Sequence, residues 1–131
     1  MPRKISRNSI VKKLDTIFSK YIRLKDADTK GYCTCVTCNR KYFWKEIQAG
    51  HFISRKNYSV RWDERNVKPQ CYSCNVMRYG EQYKFSQYLG YQLSEELYNL
   101  GLRTVKFSDY ELNEMIIFYK KFVDDLEKNY L

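Results

Sequence analysis

The sequence predicts an α+β fold in which a short β-prone segment with paired cysteines lies between amphipathic helices. Apolar residues recur at three- and four-residue spacing near both ends of the chain, as they do on the buried face of a helix. Between these ends lie two Cys-x-x-Cys pairs and several short β-prone runs. The length suits one domain, 1–131, which we divide into an N-terminal helix (1–30), a zinc-bound core (31–90) and C-terminal helices (91–131).

The first element is a helix. Asn8 or Ser9 can cap its start, and Gly31 closes the segment. One face is apolar and is therefore expected to be buried. Its members are Ile10, Leu14, Ile17, Phe18, Tyr21 and Leu24.

The middle of the chain is expected to form short strands. Two β-prone runs, at residues 32–35 and 42–44, flank a tight turn, and a further strand spans 47–53. A loop over residues 57–66 then leads to Pro69.

Helices are predicted for the rest of the chain. One follows Cys74 and runs to about residue 89, and a short one spans residues 94–101, with Ser94 as its cap. The last begins with a capping box formed by Ser108 and Glu111. Its apolar stripe is either core or the face of a partner helix, and we favour core. The stripe is Leu112, Met115, Ile116, Tyr119, Phe122, Val123 and Leu126.

The two cysteine pairs predict a structural zinc site made by Cys35, Cys38, Cys71 and Cys74. A spacing of two residues lets both thiolates of a pair reach one tetrahedral ion. The 32 residues between the pairs exceed the 15–20 of a plain zinc ribbon and contain the only histidine of the chain. Cys33 is either a buried free thiol, which we favour, or a competitor of Cys35 as ligand.

The charge of +9 is unevenly spread along the chain. Residues 1–84 hold 19 Lys and Arg against 7 Asp and Glu, whereas residues 85–131 hold 5 against 8. A basic front predicts a polyanionic partner, although an ordinary solvated surface would also account for it. No signal-peptide pattern and no apolar run of membrane-spanning length occurs, so we expect a soluble, cytoplasmic protein without membrane contact.

Residues 66–78 resemble the second half of a zinc-containing His-Asn-His (HNH) nuclease motif. In that family an Asn precedes the third thiolate by five residues, an Asn or His directly follows the fourth, and a basic residue comes three positions later. Asn66, Asn75 and Arg78 occupy these positions. The run Ala49-Gly50-His51-Phe52-Ile53 resembles the first half, in which the catalytic His ends a strand.

A more specific similarity is to the phage lambda NinG (Rap) recombination-nuclease family, through Lys20-Tyr21-Ile22-Arg23, residues 49–55 and residues 66–75. This resemblance implies a treble-clef, ββα-metal core and the cutting of branched DNA such as Holliday junctions and displacement loops, in a bacterial host cell if the protein is phage-encoded. It also implies that Asn66 pins the intervening loop by backbone hydrogen bonds. Arg55, Lys56 and Arg78 are then the candidates for DNA binding.

The chemistry of the residues agrees with that resemblance. Phosphodiester hydrolysis needs a base for the attacking water, and a neutral imidazole has a pKa near working pH, which suits His51. It also needs positive charge against the phosphate, which Mg²⁺ or Mn²⁺ supplies when held by hard oxygen ligands such as the side-chain carbonyl of Asn75. We therefore expect a metal-dependent DNA endonuclease with His51, Asn66 and Asn75 as its catalytic residues.

One position departs from the motif. Many relatives carry an acidic or histidine ligand directly before the catalytic His, and here that residue is Gly50. Gln48, Asp63 or Glu64 are candidates for the second oxygen ligand. The departure leaves open a non-catalytic, zinc-dependent nucleic-acid-binding module, and a zinc-bound interaction protein is a third possibility. A homodimer is possible, with the stripe of residues 112–126 as its seam.

Overall fold

The computed structural model describes residues 5–130. Five α-helices and four short strands follow one another along the chain. Their bounds are α1 (Arg7–Lys25), β1 (Tyr32–Thr34), β2 (Lys41–Phe43), β3 (Gln48–His51), α2 (Tyr58–Arg61), β4 (Val67–Gln70), α3 (Gln82–Leu89), α4 (Tyr91–Gly101) and α5 (Asp109–Glu127). A π-helical turn, Ser73–Met77, lies between β4 and α3, and a 3₁₀ turn, Lys128–Tyr130, follows α5.

The long helices α1 and α5 pack against each other and form one half of the core. Leu14 and Leu112 are completely buried there, and the rings of Phe18 and Tyr119 meet edge to face with centroids 5.0 Å apart. The stripe on α5 is therefore largely core, as favoured above. Leu112, Ile116, Tyr119 and Val123 are buried within the chain, and the homodimer stays a prediction.

The caps of these two helices compare differently with the prediction. The Ser108–Glu111 capping box is confirmed, with both reciprocal hydrogen bonds present. The start of α1 was predicted at Asn8 or Ser9, but the cap is Ser6, whose hydroxyl accepts from the Ser9 amide. A Ser at either position offers the same chemistry, so propensity alone does not choose the turn.

The strands form two antiparallel pairs, β1 with β2 and β3 with β4. In the second pair His51 lies opposite Val67 and Ala49 opposite Pro69. Proline is compatible with this position because a two-stranded sheet has only edges. Residues 57–66 were predicted as loop, but they contain the single-turn helix α2.

The segment after Cys74 is not one continuous helix, as was predicted. The π-helical turn ends at Met77, and positive φ angles at Tyr79, Gly80 and Glu81 reverse the backbone before α3 begins. Helix α4 starts at Tyr91 instead of Ser94. The mixture of helices and small sheets agrees with the predicted α+β class. Among residues 5–130, no helix is both long and apolar enough to cross a bilayer.

Candidate metal centre and the neighbouring pocket

The four paired cysteines come together, as the spacing predicted. The Sγ atoms of Cys35, Cys38, Cys71 and Cys74 all lie within 4.8 Å of one another. Those of Cys38 and Cys71 are 3.8 Å apart, about the edge of a tetrahedron whose centre is 2.3 Å from each sulfur. The cluster could therefore hold a metal ion such as zinc.

The chemistry of the four thiols also fits a bound cation. Burial raises the pKa of the Cys74 thiol to about 12. Burial also raises that of Cys35, but hydrogen bonds from the Thr37 hydroxyl and from backbone amides outweigh it and lower the pKa to about 6. Ionisation of Cys35 is thus favoured and that of Cys74 opposed, and a bound divalent cation would stabilise the thiolate form of its ligands.

Cys33 lies outside the cluster. Its buried thiol is 3.0 Å from the main-chain oxygen of Arg23, near the end of α1. Burial raises the pKa of this thiol to about 11. This placement agrees with the favoured alternative, in which Cys33 is a buried free thiol and not a metal ligand.

The cysteine cluster adjoins a pocket of about 660 Å³ that contains both His51 and Asn75. His51 ends β3, and Asn75 directly follows Cys74 in the π-helical turn. Helix α1 closes the third side and contributes Asp15. Chain segments that are far apart in the sequence thus meet at one concave surface.

The imidazole of His51 is held by the main chain. Its Nε2 lies 2.9 Å from the carbonyl oxygen of Arg61. A carbonyl oxygen only accepts, so Nε2 carries the proton and Nδ1 keeps a free lone pair. Burial lowers the pKa of His51 below its usual 6.5, although the Arg61 carbonyl and the charge of Asp15 oppose this shift. The ring is therefore neutral at neutral pH and able to accept a proton.

Asp15 anchors the loop that supplies this carbonyl. Arg61 donates from Nε and Nη2 to the two carboxylate oxygens of Asp15, and the Trp62 indole donates to Oδ1 at 3.0 Å. The side chain of Arg61 thus fixes α2 against α1 while its main chain holds His51.

Asn66 makes the backbone hydrogen bonds that the resemblance implied. Its Nδ2 donates to the carbonyl oxygens of Ile53 at 2.9 Å and Val60 at 3.1 Å, and its Oδ1 accepts from the Ile53 amide at 2.8 Å. The side chain is completely buried. Asn66 therefore pins both ends of the loop between β3 and α2 and does not line the pocket.

Of the three candidates for a second oxygen ligand, only Gln48 lines the pocket. Its Oε1 accepts from the Nδ2 of Asn75 at 2.8 Å. Asp63 is paired with Arg65 and Glu64 with Lys25, both away from His51.

Gly50 faces away from this pocket towards a buried glutamine. A Cβ at this position would clash with the Oε1 of Gln70. Gln70 is held in place because its Nε2 donates to Thr37 and to the Gly80 carbonyl. A side chain at position 50 would therefore enter the core and not the pocket.

The predicted DNA-binding residues fall in different places. Arg55 lines the pocket, and Lys56 is exposed next to it in the chain. Arg78 lines a separate depression on the side of the cysteine cluster, where it lies 3.7 Å from Glu81.

Two pocket residues were not assigned a role from the sequence. Arg23, like Asp15, comes from α1; it donates to the Trp44 carbonyl at 2.9 Å and stacks over the Trp44 ring. Burial lowers the pKa of its guanidinium below the usual range. Asp15, Ser19 and Arg23 are spaced four residues apart on α1. They therefore form one polar row along the helix, and all three line the pocket. That row, beside the apolar stripe, is the pattern that could have identified them.

Comparison with known proteins gives one family. The family model described as the bacteriophage lambda NinG protein matches residues 3–129. No curated protein matches the chain, and no solved structure does.

Proposed function

The chain belongs to the family of the bacteriophage lambda NinG protein, which implies a phage recombination-related protein, and from that premise we propose that it is a metal-dependent DNA endonuclease of the HNH type. Its substrates would be branched recombination intermediates such as Holliday junctions and displacement loops. The observation that carries the proposal is the shared pocket of His51 and Asn75 beside the four-cysteine cluster.

The state of His51 supports a role as general base. Its Nδ1 has a free lone pair, and its lowered pKa keeps the ring neutral where the enzyme would work. A positioned base of this kind accelerates proton transfer by about 10²- to 10⁴-fold. In the proposed reaction Nδ1 removes a proton from water, the water oxygen attacks the phosphorus, and the bond to the 3′ oxygen breaks.

The oxygen donors of the pocket support a catalytic cation site. The side-chain carbonyl of Asn75 is a hard oxygen ligand of the kind that Mg²⁺ and Mn²⁺ prefer. Gln48 and Asp15 add oxygen atoms to the pocket, although that of Gln48 accepts from Asn75 and those of Asp15 accept from Arg61. When bound, such an ion would stabilise the charge on the phosphate and on the departing oxygen. Arg55 and Arg23 are the guanidinium groups of this pocket that suit contact with a phosphate.

The zinc site would act through position and not through chemistry. Asn75 directly follows Cys74, and β4 leads straight into Cys71, so the cluster fixes the turn against β3. The antiparallel pair β3–β4 followed by this turn also supports the treble-clef, ββα arrangement. A small core can in this way hold a site to the accuracy that catalysis needs.

A binding module without catalysis is the second candidate. Gly50 offers no ligand, and the Gln48 carbonyl already accepts from the Asn75 amide. Under this alternative the basic surface would bind the DNA backbone, and no variant of His51 would alter that binding.

Cleavage assays on wild-type protein and on His51→Ala and Asn75→Ala variants separate the two. Four-way junction, flap and linear duplex are incubated with Mg²⁺ or Mn²⁺, and Asn99→Ala, which removes an exposed amide from α4, is the matched control. We expect cleavage by the wild type and the control, and a loss of at least 10²-fold in His51→Ala. Undiminished cleavage by His51→Ala would refute His51 as the general base, and no cleavage by the wild type in either metal would refute the nuclease.

A further inference from the structure

A second depression lies on the far side of the π-helical turn from the pocket of His51. It has a volume of about 650 Å³, close to that of the first. Arg40, Arg78 and Lys84 line it together with three thiols of the cysteine cluster, and the Glu81 carboxylate lies 3.7 Å from the Arg78 guanidinium. We refer to it as the basic groove.

The two depressions share one wall. Asn75 and Val76 line the pocket, whereas Ser73 and Arg78 line the basic groove. The Arg78 amide donates to the Ser73 carbonyl, so the turn between the two sides closes on itself. Its sequence contains Cys74, which also ties it to the cysteine cluster. The wall is therefore a fixed ridge and not a mobile loop.

Two residues at and just after the end of this turn are exposed and largely apolar. Met77 is 66 % exposed, and Tyr79, held at a φ of 56°, is 89 % exposed. Exposed aromatic rings beside cations are typical of surfaces on which unpaired bases stack.

We propose that the basic groove binds the phosphate backbone of a second DNA arm, so that a branch point lies across the ridge while one strand occupies the pocket of His51. This rests on the proposed nuclease function. The arms of a branch leave the junction in different directions, so that two of them can lie on opposite sides of one ridge. The preference for branched over linear DNA then depends on Arg40 and Lys84, neither of which lines the pocket.

The main competing explanation is local. Four thiolates and one Zn²⁺ leave a net charge of −2 beside the groove, and the three cations could simply offset it. In that case their removal would weaken metal retention and leave DNA binding unchanged. The two explanations therefore predict different losses.

The test compares Arg40→Gln/Lys84→Gln with wild type in binding to a four-way junction and to a linear duplex, across a salt series. Lys106→Gln/Lys121→Gln removes the same charge from exposed positions and is the matched control. Arg40→Lys/Lys84→Arg keeps the charge. Zinc content per chain and cleavage of both DNAs are measured on every variant.

We expect the groove variant to lose preference for the junction, with a salt slope shallower by about 1.8 for the junction and unchanged for the duplex, because each lost phosphate contact contributes about 0.9. The charge-retaining variant should match wild type. Equal losses on both DNAs, or an unchanged junction preference, would overturn the proposal, as would loss of zinc with unchanged slopes. Loss of binding to polyglutamate with junction binding intact would assign the groove to an acidic protein and overturn it too. If the wild type neither binds nor cuts any DNA, the proposed nuclease function itself would be refuted.

Discussion

Replacing Asn66 with alanine should destabilise the protein strongly, because its side chain is completely buried and hydrogen-bonded to the main chain. The change removes three hydrogen bonds of 2.8–3.1 Å and takes this partner from the amide and the carbonyl of Ile53, whereas the Val60 carbonyl still accepts from the Asp63 amide at 3.3 Å. Each buried group left unpaired costs about 1–3 kcal/mol. Because Ile53 is only half-buried and water can reach part of the loop, we expect a total of about 3–5 kcal/mol.

The assay is thermal and urea unfolding of the zinc-loaded protein. For a chain of this length the loss corresponds to a melting temperature lower by roughly 10–20 °C. Asn57→Ala is the control, because it lies in the same loop but makes only one surface hydrogen bond, of 3.3 Å. The reasoning would be refuted if Asn66→Ala unfolded within about 1 kcal/mol of this control.

Further outcomes are expected from the rest of the site. The cleavage rate should rise with pH to a plateau, with its midpoint below 6.5, because burial lowers the pKa of His51 and only the neutral ring accepts a proton; a midpoint above 7 would contradict this. Asp15→Asn should move that midpoint to still lower pH, since the Asp15 charge raises the pKa of His51; an upward shift would contradict the contact. Gly50→Ala should cost about 1–3 kcal/mol in urea unfolding, because its Cβ meets Gln70, and Gln70→Ala in the same chain should recover part of that loss. Strong chelators should unfold the chain, which circular dichroism would detect. An unchanged melting temperature would refute the assignment of a structural metal.

The parts of the fold that the sequence predicted are those set by local chemistry. The cysteines of each pair are two residues apart, and this spacing brings their thiols close together. The capping box of Ser108 and Glu111 needs only residues within one helical turn. The meeting of His51 and Asn75 followed from the motif, because both flank the segments that the cysteines join.

The parts that were missed depend on tertiary packing. Asp15 enters the pocket only because α1 lies across β3, and nothing within the sequence near His51 indicates that contact. Arg78 was a candidate for DNA binding because the motif places a basic residue three positions after Asn75. The π-helical turn and the reversal after it rotate Arg78 to the opposite side of the ridge.

The bond between His51 and the Arg61 carbonyl has a genetic consequence. Every residue type at position 61 would supply the same main-chain acceptor, so point mutation there cannot directly delete the group that selects the tautomer. The loop's path is set instead by Asp15 and Asn66. Inactivating alleles that act through tautomer choice should therefore map to these supports and to the Arg61 side chain that pairs with Asp15.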